Sequence, residues 1–220
     1  MLVAGVDEAG RGCVIGPLVV AGIAIRTENL QFLTELGVKD SKLLTAKKRE
    51  EFYPEIMKLT QNHLIIKVPP AQIDKVVLSS RVLHKLNRLE AQTMAKIIET
   101  LKPDEAYVDA ADVLADRFGY HISECLKCKT KIISQHKADR TFPVVSAASI
   151  IAKVERDSEI SKLRLKHGDF GSGYLTDEKT MVFLKRLLDG KDGFPSFVRK
   201  SWKPAQKAKS EHGTIQQKLV

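Results

Sequence analysis

The chain has 220 residues, 43% of them hydrophobic and 29% charged, which is ordinary for a soluble globular protein and enough for one sizeable core. Its net charge of +9 and isoelectric point near 9.4 favour an acidic partner, nucleic acid above all. No apolar run is long enough to span a bilayer, no basic region opens a signal peptide, and the odd number of cysteines, three, argues against a disulfide framework and fits a reducing cytoplasm.

Val3 to Gly16 begins as a buried strand, runs into the adjacent acids Asp7 and Glu8, and continues through Gly10, Arg11 and Gly12. Two carboxylates on a buried strand repel one another and resist desolvation, so they need raised pKa values or a cation between them. A hard divalent metal meets that need. Successive strand residues point to opposite faces, so both acids meet one ion only if the backbone bends there; otherwise Glu8 offers its carbonyl or reaches a second ion. Gly10 and Gly12 lack a Cβ, which permits such a bend and lets backbone amides approach a ligand, while Arg11 adds a fixed positive charge. The glycine spacing does not fit a dinucleotide fingerprint, and no G-K-[ST] follows to make a P-loop. A glycine-rich hairpin with incidental surface acids is the plain alternative.

Pro17 to Ile25 reads as a second strand ending near Arg26, and Glu28 to Leu36 as a short helix stopped by Gly37. Lys39-Asp40-Ser41-Lys42 is a loop, either a solvated capping connection or a phosphate contact through Lys39, Ser41 and Lys42. Thr45 caps a helix from Ala46 to about Leu59, which Pro54 is expected to kink or interrupt. His63 to Val68 is a third strand closed by Pro69-Pro70, and Ser80 to Leu101 carries the apolar period of a long amphipathic helix stopped by Pro103. Glu105 to Asp109 is a strand that leaves Asp109 in the position Asp7 occupies, with Asp104 and Asp112 as strand-edge and helix-capping residues. Thr130 to Ser134 is another strand, delivering His136 and Asp139 beyond its end.

Phe142-Pro143 opens a helix to about Lys166, whose small residues Ser146, Ala147, Ala148, Ser149 and Ala152 suit close packing. A loop at Gly168 to Gly173, a helix from Asp177 to Leu188 and a turn at Gly193 to Pro195 follow. Cys125 and Cys128 form a single C-x-x-C with His121 upstream; without a fourth ligand they read as incidental thiols. From Arg199 onward six Lys or Arg stand against Glu211 alone, the composition of a phosphate-attracting arm or of an inert end. The domain plan is therefore residues 1–198 as the catalytic body and 199–220 as a basic tail.

Strands alternating with helices predict an α/β domain with a mixed sheet, in which Asp7, Asp109 and Asp139 emerge at the carboxyl ends of parallel strands, where ligands bind. A pure binding module gains nothing from acids beneath phosphates, because each opposes counterion release. Asp7-Glu8-Ala9-Gly10-Arg11-Gly12 with Ile15-Gly16-Pro17, then Lys39 to Lys42, Tyr107-Val108-Asp109, His136 to Asp139, Ser146 to Ser149 and Gly171 to Tyr174 together resemble type 2 ribonuclease H, ribonuclease HII, in its archaeal-like single-chain form. The resemblance runs from residue 3 to about residue 203. It implies a ribonuclease H-like fold, a five-stranded mixed sheet flanked by helices with a helical C-terminal extension.

The same resemblance implies that Asp7, Glu8, Asp109 and Asp139 are catalytic and hold two Mg2+ or Mn2+ ions. The substrates implied are RNA/DNA hybrids and duplex DNA with embedded ribonucleotides, cut to leave 3'-hydroxyl and 5'-phosphate ends. Gly10, Arg11 and Gly12 resemble the segment that reads the ribose 2'-hydroxyl, and Tyr174 the aromatic that packs on the sugar at the scissile junction. A monomer in the cytoplasm is expected; a sliding-clamp contact does not follow from the residues. The alternatives are a junction-resolving DNA nuclease of the same fold and a non-catalytic hybrid-binding protein.

Overall fold

Near-continuous apolar residues let the first two strands be covered on both faces, and this sets the centre of the sheet. The computed structural model describes residues 1–38, 44–79, 85–189, 193–203 and 205–206. In it β1 (Leu2–Ala9) pairs antiparallel with β2 (Leu18–Arg26) in unbroken register from Leu2 opposite Arg26 to Ala9 opposite Val19. β3 (Asn62–Val68), β4 (Glu105–Asp109) and β5 (Lys131–Gln135) complete a five-stranded sheet of order β3-β2-β1-β4-β5. β1, β4 and β5 run parallel to one another while β2 is antiparallel to β1, so the sheet is mixed, as the sequence pattern predicts.

The chain divides into two units. The first comprises Met1–Ala9, Val19–Lys67 and Leu83–Arg156 and holds nearly all of the sheet. On one face Val3, Ala21, Ile23 and Ile25 pack with Leu33 of α1 (Leu30–Leu36), with Phe52 and Ile56 of α2 (Ala46–Leu59), and with Val144 to Ala152 of α7 (Pro143–His167). Gly5 makes that face close: a Cβ there would lie 2.2 Å from the Val144 carbonyl oxygen. Ser146, Ala147 and Ala148 are buried in the same contact, and the Ser146 hydroxyl donates to the Val38 carbonyl. On the opposite face α4 (Lys85–Leu101) lays Ile97 against Gly22 and Val6, and packs on α5 (Ala115–Cys125).

Thr45 caps α2 as expected, its hydroxyl accepting from the Lys48 amide at 3.2 Å. Pro54 does not interrupt that helix. Pro54 deprives only the carbonyl four residues earlier of its partner; that residue, Glu50, is exposed, so solvent can satisfy it while Phe52 and Ile56 hold the helix to the core. Three helices escaped the sequence reading, the single turn at Ala138–Thr141 and two longer ones. α3 (Pro70–Leu78) starts on a proline read as a stop, although proline suits the first helical turn; α5 is built from weak helix formers, Gly119 among them, and is held by buried Phe118 and Ile122. Cys125 ends α5, and Cys128 lies with its sulfur 3.6 Å from the Thr130 hydroxyl.

The second unit comprises Gly10–Leu18, Val68–Val82 and Asp157–Val220. Phe170, Phe183, Phe194 and Phe197 form its core with Val14, Ile15, Ile160, Leu184, Val198 and Ala205, and α8 (Glu178–Asp189) closes it. The glycine segment after β1 is stitched into this core: Val14 N–H donates to Gly173 O at 2.8 Å, Gly16 N–H to Phe197 O at 2.9 Å, and Arg199 N–H to Val14 O at 2.8 Å. Arg199, expected in a solvated arm, is fully buried here. A buried guanidinium requires hydrogen-bond partners, and Arg199 donates to the carbonyls of Gly10, Arg11 and Gly16 and lies against the Trp202 ring. Residues 207–220, the rest of the basic tail, lie outside the described residues.

The close approach at Gly5 gives a direct test. Gly5→Ala is expected to lower unfolding free energy by about 3 kcal/mol in a denaturant titration, since the backbone it would strike cannot rotate away as a side chain can. A variant as stable as wild type would mean that α7 is free to shift off the strand.

Candidate active site

Register brings the acids together. Val6 lies opposite Val108, so Asp7 and Asp109 stand one residue further along adjacent parallel strands. Asp109 is in turn paired with Gln135, the last residue of β5. The chain then turns through Lys137, in the left-handed region at φ 56°, into the single turn α6 (Ala138–Thr141), which carries Asp139. Carboxylate oxygens of Asp7, Asp109 and Asp139 all lie within 4.8 Å of one another. Asp7 and Asp139 are buried and Asp109 half-buried. Backbone amides orient two of them: Glu8 N–H donates to Asp7 Oδ1 at 2.7 Å, and Ala138 N–H to Asp109 Oδ1 at 3.0 Å.

Burial and then the Asp109 charge push the Asp7 carboxyl up to about 7, against the opposing pull of Lys153, of a hydrogen bond from Ser149 and of the Glu8 amide. Ser149 and Lys153 are one turn apart on α7, and the ammonium donates to the hydroxyl. Neither is among the site residues expected from sequence. Ser149 was read only as a small packing residue; the available signal was a Ser and a Lys at helical spacing within the apolar stretch from Val144 to Val154.

β1 stays in register with β2 through Ala9, with no bulge at Glu8. Strand alternation directs Glu8 away from the face on which Asp7 meets α7, and its carboxylate is not part of the close group of three acids. Asp104 accepts from the Leu2 amide at 2.7 Å, at the strand edge as expected. Asp112 is buried and accepts from the Leu114 amide at 3.1 Å, from Asn87 at 2.9 Å and from Arg117, whose hydrogen bond holds its carboxyl well below the usual range. His136 is exposed, with Nε2 3.1 Å from the Val113 carbonyl oxygen.

Gly10, Arg11, Gly12 and Tyr174, expected as substrate residues, belong to the second unit. Gly10 turns at φ 81°, Arg11 is half-buried and Gly12 exposed. Among the described residues a Cβ added at Gly12 would meet only Tyr174, at 3.9 Å from Cε1, so the structure sets Tyr174 beside the glycine segment. Lys39, Ser41 and Lys42 lie outside the described residues.

A family model described as Ribonuclease HII matches residues 4–205. The ribonuclease HII of Cenarchaeum symbiosum is 47% identical over 206 residues, covering 94% of this chain and 97% of that one. The crystal structure of ribonuclease H2 from Pyrococcus horikoshii superposes with a TM-score of 0.89 at 42% identity, covering 97% and 99% of the two chains. Ribonuclease HII from Archaeoglobus fulgidus, solved in complex with PCNA, gives a TM-score of 0.83 at 43% identity, covering 94% and 96%.

The chain belongs to the ribonuclease HII family. As a ribonuclease HII it is a metal-dependent endonuclease that hydrolyses the RNA of RNA/DNA hybrids. The site suits that dependence: three carboxylates close enough to share an ion, all hard oxygen donors, with burial and mutual charge disfavouring ionisation of Asp7 until a cation offsets them. Among the described residues no helix is long and apolar enough to cross a membrane.

This electrostatic strain gives the metal-free enzyme a pH dependence of known sign. Asp7 titrates near 7 folded and near 3.8 as an ordinary carboxyl, so the folded state holds more protons between those values. Its contribution to stability is therefore present below about pH 4, is lost as pH rises to about 7, and is level above that. Asp7→Asn should make the metal-free protein more stable than wild type at pH 8, by on the order of 2–4 kcal/mol, and not at pH 4. Mg2+ should stabilise wild type at pH 8 more than the variant. Thermal melts at both pH values, with EDTA or Mg2+, check this; parallel curves would show that Asp7 carries no such strain.

Proposed function

We propose that this ribonuclease HII cleaves both RNA in hybrids and single ribonucleotides embedded in duplex DNA, through Asp7, Glu8, Asp109 and Asp139. The observation that carries the reading is the close group of three buried or half-buried carboxylates at the ends of parallel strands, in a chain of net charge +9. Two Mg2+ or Mn2+ ions held by the four acids would ready a water for in-line attack and stabilise the leaving 3'-oxygen, giving 3'-hydroxyl and 5'-phosphate ends. Asp7, Asp109 and Asp139 supply the shared negative charge. Glu8, on a straight strand, contributes through its carbonyl or at the second ion. The Glu8 and Ala138 amides fix the rotamers of Asp7 and Asp109, so little reorganisation remains for the reaction.

Gly10, Arg11 and Gly12 read the 2'-hydroxyl, and Tyr174 packs on the neighbouring sugar. Lys39, Ser41 and Lys42 hold phosphates, as do Lys207, Lys209 and Lys218 of the tail. The enzyme acts as a cytoplasmic monomer. A sliding-clamp contact is a reading supported by the complex formed by the Archaeoglobus fulgidus relative.

Asp7→Asn or Asp109→Asn should lower the cleavage rate by about a thousandfold or more while duplex binding persists or tightens, since a repulsive charge is removed. Near wild-type turnover by either variant would remove the acids from the chemistry. Gly12→Ala is the cleaner probe of ribose reading, because the added methyl has room in the protein itself, whereas Gly10→Ala forces an L-residue to a positive φ. Gly12→Ala should lower cleavage at an embedded ribonucleotide about tenfold or more with the melting temperature unchanged. Unchanged cleavage would show that Gly12 only shapes a turn.

Ala205 is buried, so the tail is best removed after Gln206. Loss of Lys207, Lys209 and Lys218 should reduce the log-log salt slope of binding by up to about 3 without moving the cleavage position. An unchanged slope would mark an inert terminus.

A further inference from the structure

Among the described residues Arg199 is the largest fully buried side chain, and its fork is directed to the glycine segment. Nη2 donates to Gly10 O at 2.6 Å and Nη1 to Arg11 O at 2.8 Å, with Nε 3.2 Å from Gly16 O and Nη2 3.1 Å from Cys13 Sγ. Cys13 Sγ itself donates to Gly10 O at 3.0 Å. Two consecutive carbonyls, those of Gly10 and Arg11, are thus drawn inward onto one cation. Each peptide unit is planar and trans, so its N–H points opposite to its C=O. Drawing in the Gly10 and Arg11 carbonyls therefore turns the N–H groups of Arg11 and Gly12 the other way, and Gly12 is exposed. Successive N–H groups held in this manner form a concave donor site for an oxygen-bearing ligand. A buried positive charge at the carbonyl end also polarises both peptides and strengthens their N–H groups as donors.

We propose that Arg199 is a positioning residue for sugar discrimination: by holding the Gly10 and Arg11 carbonyls it presents the Arg11 and Gly12 amides as paired donors to the ribose 2'-oxygen. This rests on the reading of Gly10, Arg11 and Gly12 as the 2'-hydroxyl contact. Arg199 touches no substrate in this scheme, and its effect is exerted through backbone direction alone. Lysine keeps the charge but satisfies fewer of the carbonyls, and glutamine keeps a planar donor without the charge, so neither restores the geometry.

The test is the ratio of affinities, in Ca2+, for a duplex with one embedded ribonucleotide and for the all-DNA duplex of the same sequence. Wild type, Arg199→Lys, Arg199→Gln and Gly12→Ala are compared after thermal melts establish that each is folded. Either Arg199 variant is expected to lower the ratio about tenfold, through loss of ribonucleotide affinity with all-DNA affinity nearly unchanged. Equal losses on both duplexes would reduce Arg199 to a structural role and overturn the proposal. If Gly12→Ala lowers the ratio and the Arg199 variants do not, the proposal fails while the reading of the glycine segment stands; if Gly12→Ala leaves the ratio intact, that reading fails. Should neither Arg199 variant fold, hydrogen exchange on wild type decides: the Arg11 and Gly12 amides must gain protection from the ribonucleotide duplex and not from all-DNA, and equal protection by both overturns the proposal.

Discussion

Like charges held at the ends of adjacent parallel strands are the constraint on which this enzyme depends. Asp7 and Asp109 stand side by side because Val6 is in register with Val108, and Asp139 is added by one helical turn beyond β5. The sheet cannot relax their repulsion by sliding, since a one-residue slip would send every apolar side chain of β1 to the wrong face. The surroundings compensate instead, through the Lys153 ammonium, the Ser149 hydroxyl and the Glu8 and Ala138 amides. The resulting site is electrostatically strained, which is the condition under which a divalent cation binds with most effect.

The packing of α7 follows from the same need. Ser149 and Lys153 reach Asp7 only if the helix lies near the strand, and the absence of a side chain at Gly5 allows that approach, with Val144 in direct contact. Ser146, Ala147 and Ala148 keep the rest of the interface thin. One helix thereby supplies both core and counter-charge.

Much of this was legible in the sequence because it was written in strong local signals. Alternation of strands with helices gave the mixed sheet, Thr45 gave the start of α2, and acids at strand ends gave Asp7, Asp109 and Asp139. What stayed hidden required tertiary knowledge. Pro70 and Pro54 were read as breakers, yet one opens a helix and the other sits inside one whose exposed carbonyl water can satisfy. Arg199 was grouped with neighbouring lysines by charge, since no local pattern tells a buried guanidinium from a solvated one; its partners lie at the far end of the chain. Glu8 follows Asp7 on the same strand, so alternation directs its side chain to the other face, the case in which the sequence reading gave it a carbonyl or second-ion role.

The bond from Arg199 to Gly10 spans 189 residues, nearly the whole chain. The glycine segment leaves the ribosome 189 residues ahead of the side chain that holds its carbonyl. At ordinary synthesis rates that interval is on the order of ten to forty seconds. During it the sheet strands β1 and β2 can pair locally, but the loop between them lacks the cation that its carbonyls accept from. A chain truncated before Arg199 would thus carry its acids without the guanidinium that holds the Gly10 and Arg11 carbonyls.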